Sequence, residues 1–540
     1  MRGGYRVLKR VDLNDVLTLL ERLERRGYKA YREKLSRLEF TVPCGIARFT
    51  RVQGDPYAPP SVLEVRGRLH LKGLASRYPV ATADYAYRFL RSRLARLSRK
   101  RGSGHSGYLG LPKPSNAMIR RSGFEVHQDY FIARFWFGLP ARGRRILGYE
   151  AARMLEDSID AVCSTIRVLE KGNSSLEEHV KVYAVQEYLR SLLPRHRLVA
   201  FIGNGSILPR RCGWCEEPLA NAIPFESPSS MRIELETPWG TYEGMGIPRG
   251  FTVITGHPFH GKTTLLEAIA AGVYNHVKGD GRETVVSLRS AYWIEAEDGR
   301  PVHCRDVSPL ITRLPGNNDT TCFTTSDASG ATSMAASIIE AYEAGAELIL
   351  IDEDRAATNL LYIDPRVERL AGAPPITPLA SYSHCLSALG VSTMLVTGAL
   401  GALIEEAENL IVMKDFKPAH AEVRESRLPR NCVKPRRRPV STRPWRSKPR
   451  PPRLVGKDGY ELNLESNRIL VEDGQYTTIA LLLAKPWRGT LSEIAKRVDE
   501  LMEKGFEAIT PNPPPSLAEV RGLDFVYALM RLPPGYVTTS

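Results

Sequence analysis

Apolar residues recur along this chain with two periods, and the change from one to the other divides it. Val16, Leu19, Leu20 and Leu23 follow the i, i+3, i+4, i+7 rule and predict an amphipathic helix, with Gly27 as its stop. Helical spacing returns over residues 83–100 and 176–193, while residues 130–137 alternate as a strand and residues 198–202 read as another. This mixture predicts an α+β domain over residues 1–225. From Met231 strands dominate, at 231–235 and 241–245, and the apolar run from Phe251 leads through a loop into a helix with Leu265, Leu266 and Ile269 on one face. Strands at 285–288 and 290–295 follow. A helix over 332–344 then carries Ala335, Ile338, Ile339 and Tyr342 on one face, with Gly345 as its stop. Leu348–Ile351, 392–397 and 410–413 are further short apolar runs, the last two separated by helical residues 402–407. That order predicts an α/β core with a parallel sheet over residues 226–423. Beyond it, a strand pair around 460–471, a helix at 491–504 and a Pro-rich turn at 511–515 predict a small α+β domain over 454–540.

The loop after Phe251 carries the clearest chemistry. Gly256-His257-Pro258-Phe259-His260-Gly261-Lys262-Thr263 is the G-x-x-x-x-G-K-[ST] pattern of a P-loop, followed by Thr264. Such a loop curls so that successive backbone N–H groups point at phosphate oxygens, and glycine tolerates the dihedrals required. Lys262 would reach the β and γ phosphates, and the Thr263 hydroxyl would bind Mg²⁺. The helix that starts there turns its positive end to the anion.

Two later stretches extend the site. Ser326–Met334 places small residues at the start of the 332–344 helix, a second anion-binding end. The run Leu348–Ile351 ends in Asp352-Glu353-Asp354, acids at the carboxyl edge of a parallel strand, where ligands collect. Asp352 suits a magnesium ligand and Glu353 a base for water.

Charge changes the picture at one place. The net charge is +15, and residues 424–453 hold twelve Lys or Arg against one acid, Glu425, with seven prolines. The stretch predicts an extended, mobile linker, and Arg430, Lys434, Arg436, Arg437, Arg438, Arg443, Trp445 and Arg446 are its candidate nucleic-acid contacts. A merely solvated linker is the competing reading. Two other basic loops, 101–107 and 138–145, stand between phosphate contact and plain solvation, and the aromatic strand 130–137 between base stacking and core packing. No run of 18 apolar residues occurs and the N-terminal stretch is charged and helical, so neither a membrane span nor a signal peptide is expected, and a cytoplasmic protein is. Eight cysteines are too sparse to suggest a disulfide framework. Only Cys212-Gly-Trp-Cys215 are close; without a second pair at ligand spacing, free thiols or a local bridge outweigh zinc there.

Taken together, GHPFHGKTTLLEAIAAGVYNHVKGDGRE, SDASGATSMAASIIEAYEAGAELILIDEDRAATN, GNGSILPR, GLPARGRRILG and GMGIPRG resemble the predicted ATPases of the ABC class that lack transporter membrane domains. The resemblance implies an ABC-type P-loop ATPase core, ATP and Mg²⁺ as ligands, and association with RNA handling. Gly256, Gly261, Lys262, Thr263 and Thr264 would form Walker A; Asp352 would close Walker B and Glu353 would be the catalytic acid. Ser329, Gly330 and Ala331 would be the signature, offered in trans within a head-to-tail homodimer that sandwiches two ATP molecules, with Ala356–Asn359 as the D-loop. Three departures stand out. Val396-Thr-Gly398 occupies the place of the switch histidine, no glutamine loop lies between Lys262 and Ser329, and Asp354 replaces the usual proline. His257 and His260 are ring donors near the phosphates that would compensate for the missing histidine. The resulting reading is a soluble ATPase dimer that couples nucleotide state to nucleic acid, RNA over DNA, with an ATP-clamped binding protein of little turnover as the alternative.

Overall fold

The structure is a computed structural model that describes residues 8–372, 374–398, 400–421 and 432–539; Arg430 and the start of the basic stretch lie outside them. The chain forms two compact units, Met1–Tyr183 with Lys504–Glu519, and Ala184–Glu503 with Val520–Ser540.

In the first unit a seven-stranded sheet runs Lys9–Asp12, Leu38–Val42, Gly45–Arg51, Ser61–Arg68, Tyr130–Phe137, Leu109–Gly110, with Phe124–Val126 also on Tyr130–Phe137. The aromatic strand is core: Phe131, Phe135 and Phe137 are fully buried. Arg134, at its centre, is buried too, so the charge requires partners. It finds Glu64 at 2.7 Å, Glu125, and Glu507 at 3.1 Å, the last from the returning C-terminal segment. Helix Pro79–Leu97 starts earlier than its spacing suggests because Pro79 occupies a first-turn position, where its missing N–H costs nothing. It buries Asp84, which meets Arg88 at 2.7 Å, Arg121, and His179 at 3.0 Å. Burial pushes this carboxyl up, but the two guanidiniums and the imidazole hold it well below the usual carboxylate range. The N-terminal helix, Leu13–Arg22, ends short of Gly27, since Arg25 turns left-handed and its N–H bonds the Ile146 carbonyl at 2.9 Å.

The second unit is built on a six-stranded sheet ordered Ala291–Ile294, Leu348–Asp352, Ser392–Val396, Phe251–Thr255, Asn409–Lys414, Lys417–Ala421. All neighbours are parallel except the last pair. This is the parallel α/β core expected. Near-continuous apolar strands are what a sheet buried on both faces requires, and Leu348–Asp352 and Ser392–Val396 are buried at every position. Helix Gly330–Ala344 ends on Gly345 as anticipated, at φ 96°. An antiparallel sheet ordered Arg232–Thr237, Gly240–Pro248, Leu198–Gly203, Val285–Ser287 lies in the same unit.

Two sequence expectations are corrected. All eight cysteines are bridged, as Cys44–Cys163, Cys212–Cys215, Cys304–Cys322 and Cys385–Cys432. Three of these join residues 119, 18 and 47 apart, pairings that spacing along the chain does not reveal. Nor is the basic stretch an extended linker throughout. Val440–Thr442 pairs with Val537–Thr539, and Ser447–Arg450 with Arg453–Gly456. Trp445, 1% exposed, packs edge-on against Tyr460 and over Gly456, and donates its indole N–H to Asp458 at 3.2 Å. One buried indole supplies what a polyelectrolyte linker lacks, an apolar centre to fold around. No helix among the described residues is long and apolar enough to cross a membrane.

Candidate nucleotide site

Parallel pairing brings the predicted residues to one edge. Asp352 and Ile254 both stand level with Val396, so the loops leaving these three strands emerge side by side at their carboxyl ends. The strand Ser392–Val396 lies between the P-loop strand and the acid strand and reaches both.

Gly256 has φ 137°, and a Cβ there would sit 2.2 Å from the Met413 carbonyl oxygen, so no other residue fits. Gly261, at φ 88°, caps the helix Lys262–Ala271. From the far end of the loop the Lys262 ammonium donates to the carbonyls of Gly256 at 2.8 Å and His257 at 2.9 Å, which curls residues 256–262 on themselves. Pro258 and Phe259 form the outer turn; Phe259 is left-handed at φ 65° and 94% exposed. Thr264 is half-buried in the first turn of the helix. His260 accepts the Asp415 N–H at 3.0 Å through Nδ1, and its ring lies edge-on to His257 at 5.9 Å. That bond engages His260 Nδ1 with the 414–417 turn and puts any ring proton on Nε2.

The Thr263 hydroxyl donates to Asp352 Oδ2 at 2.9 Å. Among the described residues no cluster of three or more His, Cys, Asp or Glu is placed to hold a metal. Thr263 with the buried Asp352 nonetheless fits Mg²⁺, which habitually takes one or two protein oxygens and fills its shell with phosphate and water. Glu353 Oε2 accepts the Thr397 hydroxyl at 2.6 Å and the Gly398 N–H at 2.8 Å. Thus the residues standing where a switch histidine was sought hold the acid itself. Gly398 also adjoins Lys262, whose Nζ would lie 3.7 Å from a Cβ there.

Ser329 caps helix Gly330–Ala344 and is exposed; its Oγ pairs with the Thr332 hydroxyl at 3.0 Å. Gly330 and Ala331 are half-buried. A Cβ on Gly330 would meet Asp298 at 3.3 Å and Ala357 at 3.8 Å, so the start of helix Gly330–Ala344, the 295–300 loop and the 356–359 segment abut. That loop is clamped from below. Glu297 donates its N–H to Ser333 Oγ at 2.9 Å, and its carboxylate accepts Tyr527 at 3.1 Å and Arg531 Nε at 2.8 Å. Burial pushes the Glu297 carboxyl up, but the guanidiniums of Arg531 and Arg300 keep it below the ordinary range.

A model of the P-loop domain of ABC_ATPase proteins matches residues 172–450, and one of the N-terminal domain of ATPases of the ABC class matches residues 13–169. The chain belongs to the ABC-class ATPase family. An uncharacterised protein of Methanocaldococcus jannaschii is 32% identical to this ABC-class ATPase over 250 residues, 44% of this chain and 55% of its own length. The chain therefore spans about half of that curated relative. A solved metal-chelate type ABC transporter in an inward-facing conformation aligns at 12% identity and TM-score 0.25, over 42% of this chain and 83% of its own. So weak a likeness carries no statement about partners.

Of the nucleic-acid candidates in this ABC-class ATPase, Lys434, Arg436, Arg437, Arg443 and Arg446 are exposed and Arg438 is half-buried. Arg437 stacks on Tyr342 at 4.8 Å, and the Arg436 N–H bonds Asp306 at 2.9 Å. Trp445 is sequestered and is no stacking platform. What sequence reasoning missed around the P-loop, namely Met413, Asp415 and Phe416, comes from some 150 residues downstream and belongs to no motif.

Proposed function

We propose that this ABC-class ATPase binds and hydrolyses ATP in a head-to-tail homodimer, and that nucleotide state governs its grip on nucleic acid, RNA in preference to DNA. The observation that carries hydrolysis is the pair of acids at one sheet edge with separate partners, Asp352 on Thr263 and Glu353 on Thr397 and Gly398. In this reading the backbone amides of residues 256–264, Pro258 excepted, and Lys262 take the phosphates, while Thr263 and Asp352 hold Mg²⁺. The metal neutralises charge on the phosphate oxygens when bound. Glu353, oriented through Oε2 by Thr397 and Gly398, positions a water and takes its proton. Ser329, Gly330 and Ala331 of a second copy complete the site; the exposure of Ser329 supports this.

One observation favours the slower alternative, an ATP clamp with little turnover. Glu353 Oε2 already carries two donors, at 2.6 and 2.8 Å. The Glu353→Gln chain separates the readings. If wild type releases phosphate and the variant instead accumulates an ATP-bound dimer, the enzyme reading stands; equal, near-zero release from both sinks it.

The exposed basic residues of 434–446 support the nucleic-acid part, and the preference for RNA rests on the resemblance alone. A cytoplasmic location belongs to the same proposal. The lack of a described membrane-crossing helix is compatible with it, whereas four disulfides weigh against a reducing compartment.

A further inference from the structure

The hairpin at residues 209–219 has no part in the nucleotide site. Its arms are tied by the Arg211 N–H to the Glu217 carbonyl at 2.9 Å and the Leu219 N–H to the Pro209 carbonyl at 3.0 Å. At the base, the Arg210 guanidinium grips Asp280 through its carboxylate at 2.9 Å and its carbonyl at 2.6 Å. The tip is Cys212-Gly-Trp-Cys215, closed by its disulfide and by the Cys215 N–H on the Cys212 carbonyl at 3.1 Å. A fixed stem thus presents a C-x-x-C disulfide.

Three observations set this bridge apart. It spans 3 residues, whereas the others span 18, 47 and 119, so it removes the least chain entropy from the unfolded state. Its tip residue, Trp214, is 91% exposed, although Cys212 and Cys215 are themselves half-buried, like Cys44, Cys304 and Cys322. Third, Arg211 Nη2 donates to Cys215 Sγ at 3.7 Å, while the same nitrogen pairs with the Glu217 carboxylate at 3.5 Å. A guanidinium at a sulfur favours the thiolate over the thiol. A loop staple needs neither the exposure nor the cation.

We propose that Cys212–Cys215 is a thiol–disulfide exchange site whose co-reactant is a protein dithiol. A partner thiolate attacks Cys212 Sγ, forming a mixed disulfide and breaking the Cys212–Cys215 bond. The electron pair of that bond passes to Cys215 Sγ, and Arg211 stabilises the departing thiolate. Leaving groups of lower pKa depart faster, which directs attack to Cys212. The second partner thiolate then attacks the partner's own sulfur in the mixed disulfide and expels Cys212 as thiolate. The partner leaves oxidised by two electrons. Cys212 and Cys215 hold those electrons, and protons lost by the partner thiols go to solvent or to the new thiolates.

The test uses the full chain and a reduced Cys-x-x-Cys peptide, quenched in acid and alkylated, with each cysteine read by mass spectrometry. Cys212 and Cys215 should become alkylated at least about tenfold faster than the other six cysteines, with one peptide disulfide formed per chain. The Cys215→Ser chain, given the symmetric disulfide of a Cys-x-x-Ser peptide, which has no second thiol to resolve the product, should accumulate a mixed disulfide at Cys212 and release one peptide thiol. Arg211→Gln should slow exchange about threefold and move the ultraviolet titration of the Cys215 thiolate to higher pH. Exchange no faster than at Cys304–Cys322 overturns the proposal. Stoichiometric zinc retained by the reduced pair would overturn it equally, making the tip a metal site.

Discussion

Thr397 shows how one hydroxyl decides what an acid can do. It is 1% exposed, stands at the end of the strand between the two motif strands, and donates to Glu353 at 2.6 Å. Without it the carboxylate keeps the Gly398 N–H and loses its orientation. Thr397→Val preserves shape and removes the donor, so ATP turnover should fall roughly tenfold, the scale of a lost charge-assisted hydrogen bond. Nucleotide affinity should hardly change, because the phosphate cradle does not include this side chain. Turnover and affinity falling together would show that the residue serves packing and not the acid. The sequence made Thr397 conspicuous only as a missing histidine. Its bond to Glu353 depends on strand order, which no local pattern encodes.

Among the elements, helix Leu379–Ala388 ties two distant parts of its unit together. Tyr382 donates to the Val433 carbonyl at 3.0 Å, Cys385 bridges to Cys432, and His384 meets Glu408 at 3.0 Å and Glu406 at 3.4 Å. The hydrogen bond that His384 donates to Glu408 raises its imidazole above its ordinary value, against burial that opposes it. A raised folded-state pKa means that the stabilisation is fully present below about pH 6.5, the unfolded value, and is lost as pH rises through the folded one. His384→Gln should therefore cost roughly 1.5–3 kcal/mol near pH 5 and little near pH 9, read by denaturant unfolding. A cost independent of pH would refute the charged pairing. This helix left no trace in the sequence pattern, because its Ser, Tyr, His and Cys positions make no clean apolar stripe. Helix Asp473–Leu483 was missed for another reason. The β-branched Thr477, Thr478 and Ile479 weaken its helical signal, although Glu472 and Gln475 form a capping box that could have marked its start. By contrast, the P-loop helix, Gly330–Ala344 and the apolar strands were legible, since burial on both faces writes itself directly into composition.

At the scale of the whole molecule, the basic stretch is an array displayed on a folded support. Deleting it would remove Trp445 and two strand pairings, so lost binding would report lost structure. Neutralising Lys434, Arg436, Arg443 and Arg446 to Gln leaves the support intact. RNA affinity should then drop and its salt dependence flatten by roughly 0.7 log units of slope per lost single-strand contact. An unchanged slope would detach these residues from nucleic acid. Domain order along the chain was partly readable from the switch in period, but the return of residues 504–519 to the first unit was not, for it rests on Glu507 reaching Arg134 at 3.1 Å. That return bears on synthesis. Arg134 leaves the ribosome hundreds of residues before its third carboxylate partner, so the N-terminal unit spends most of translation with a buried cation only partly compensated. Its final stability arrives when residues 504–519 dock, which makes a stretch translated late a checkpoint on one translated early.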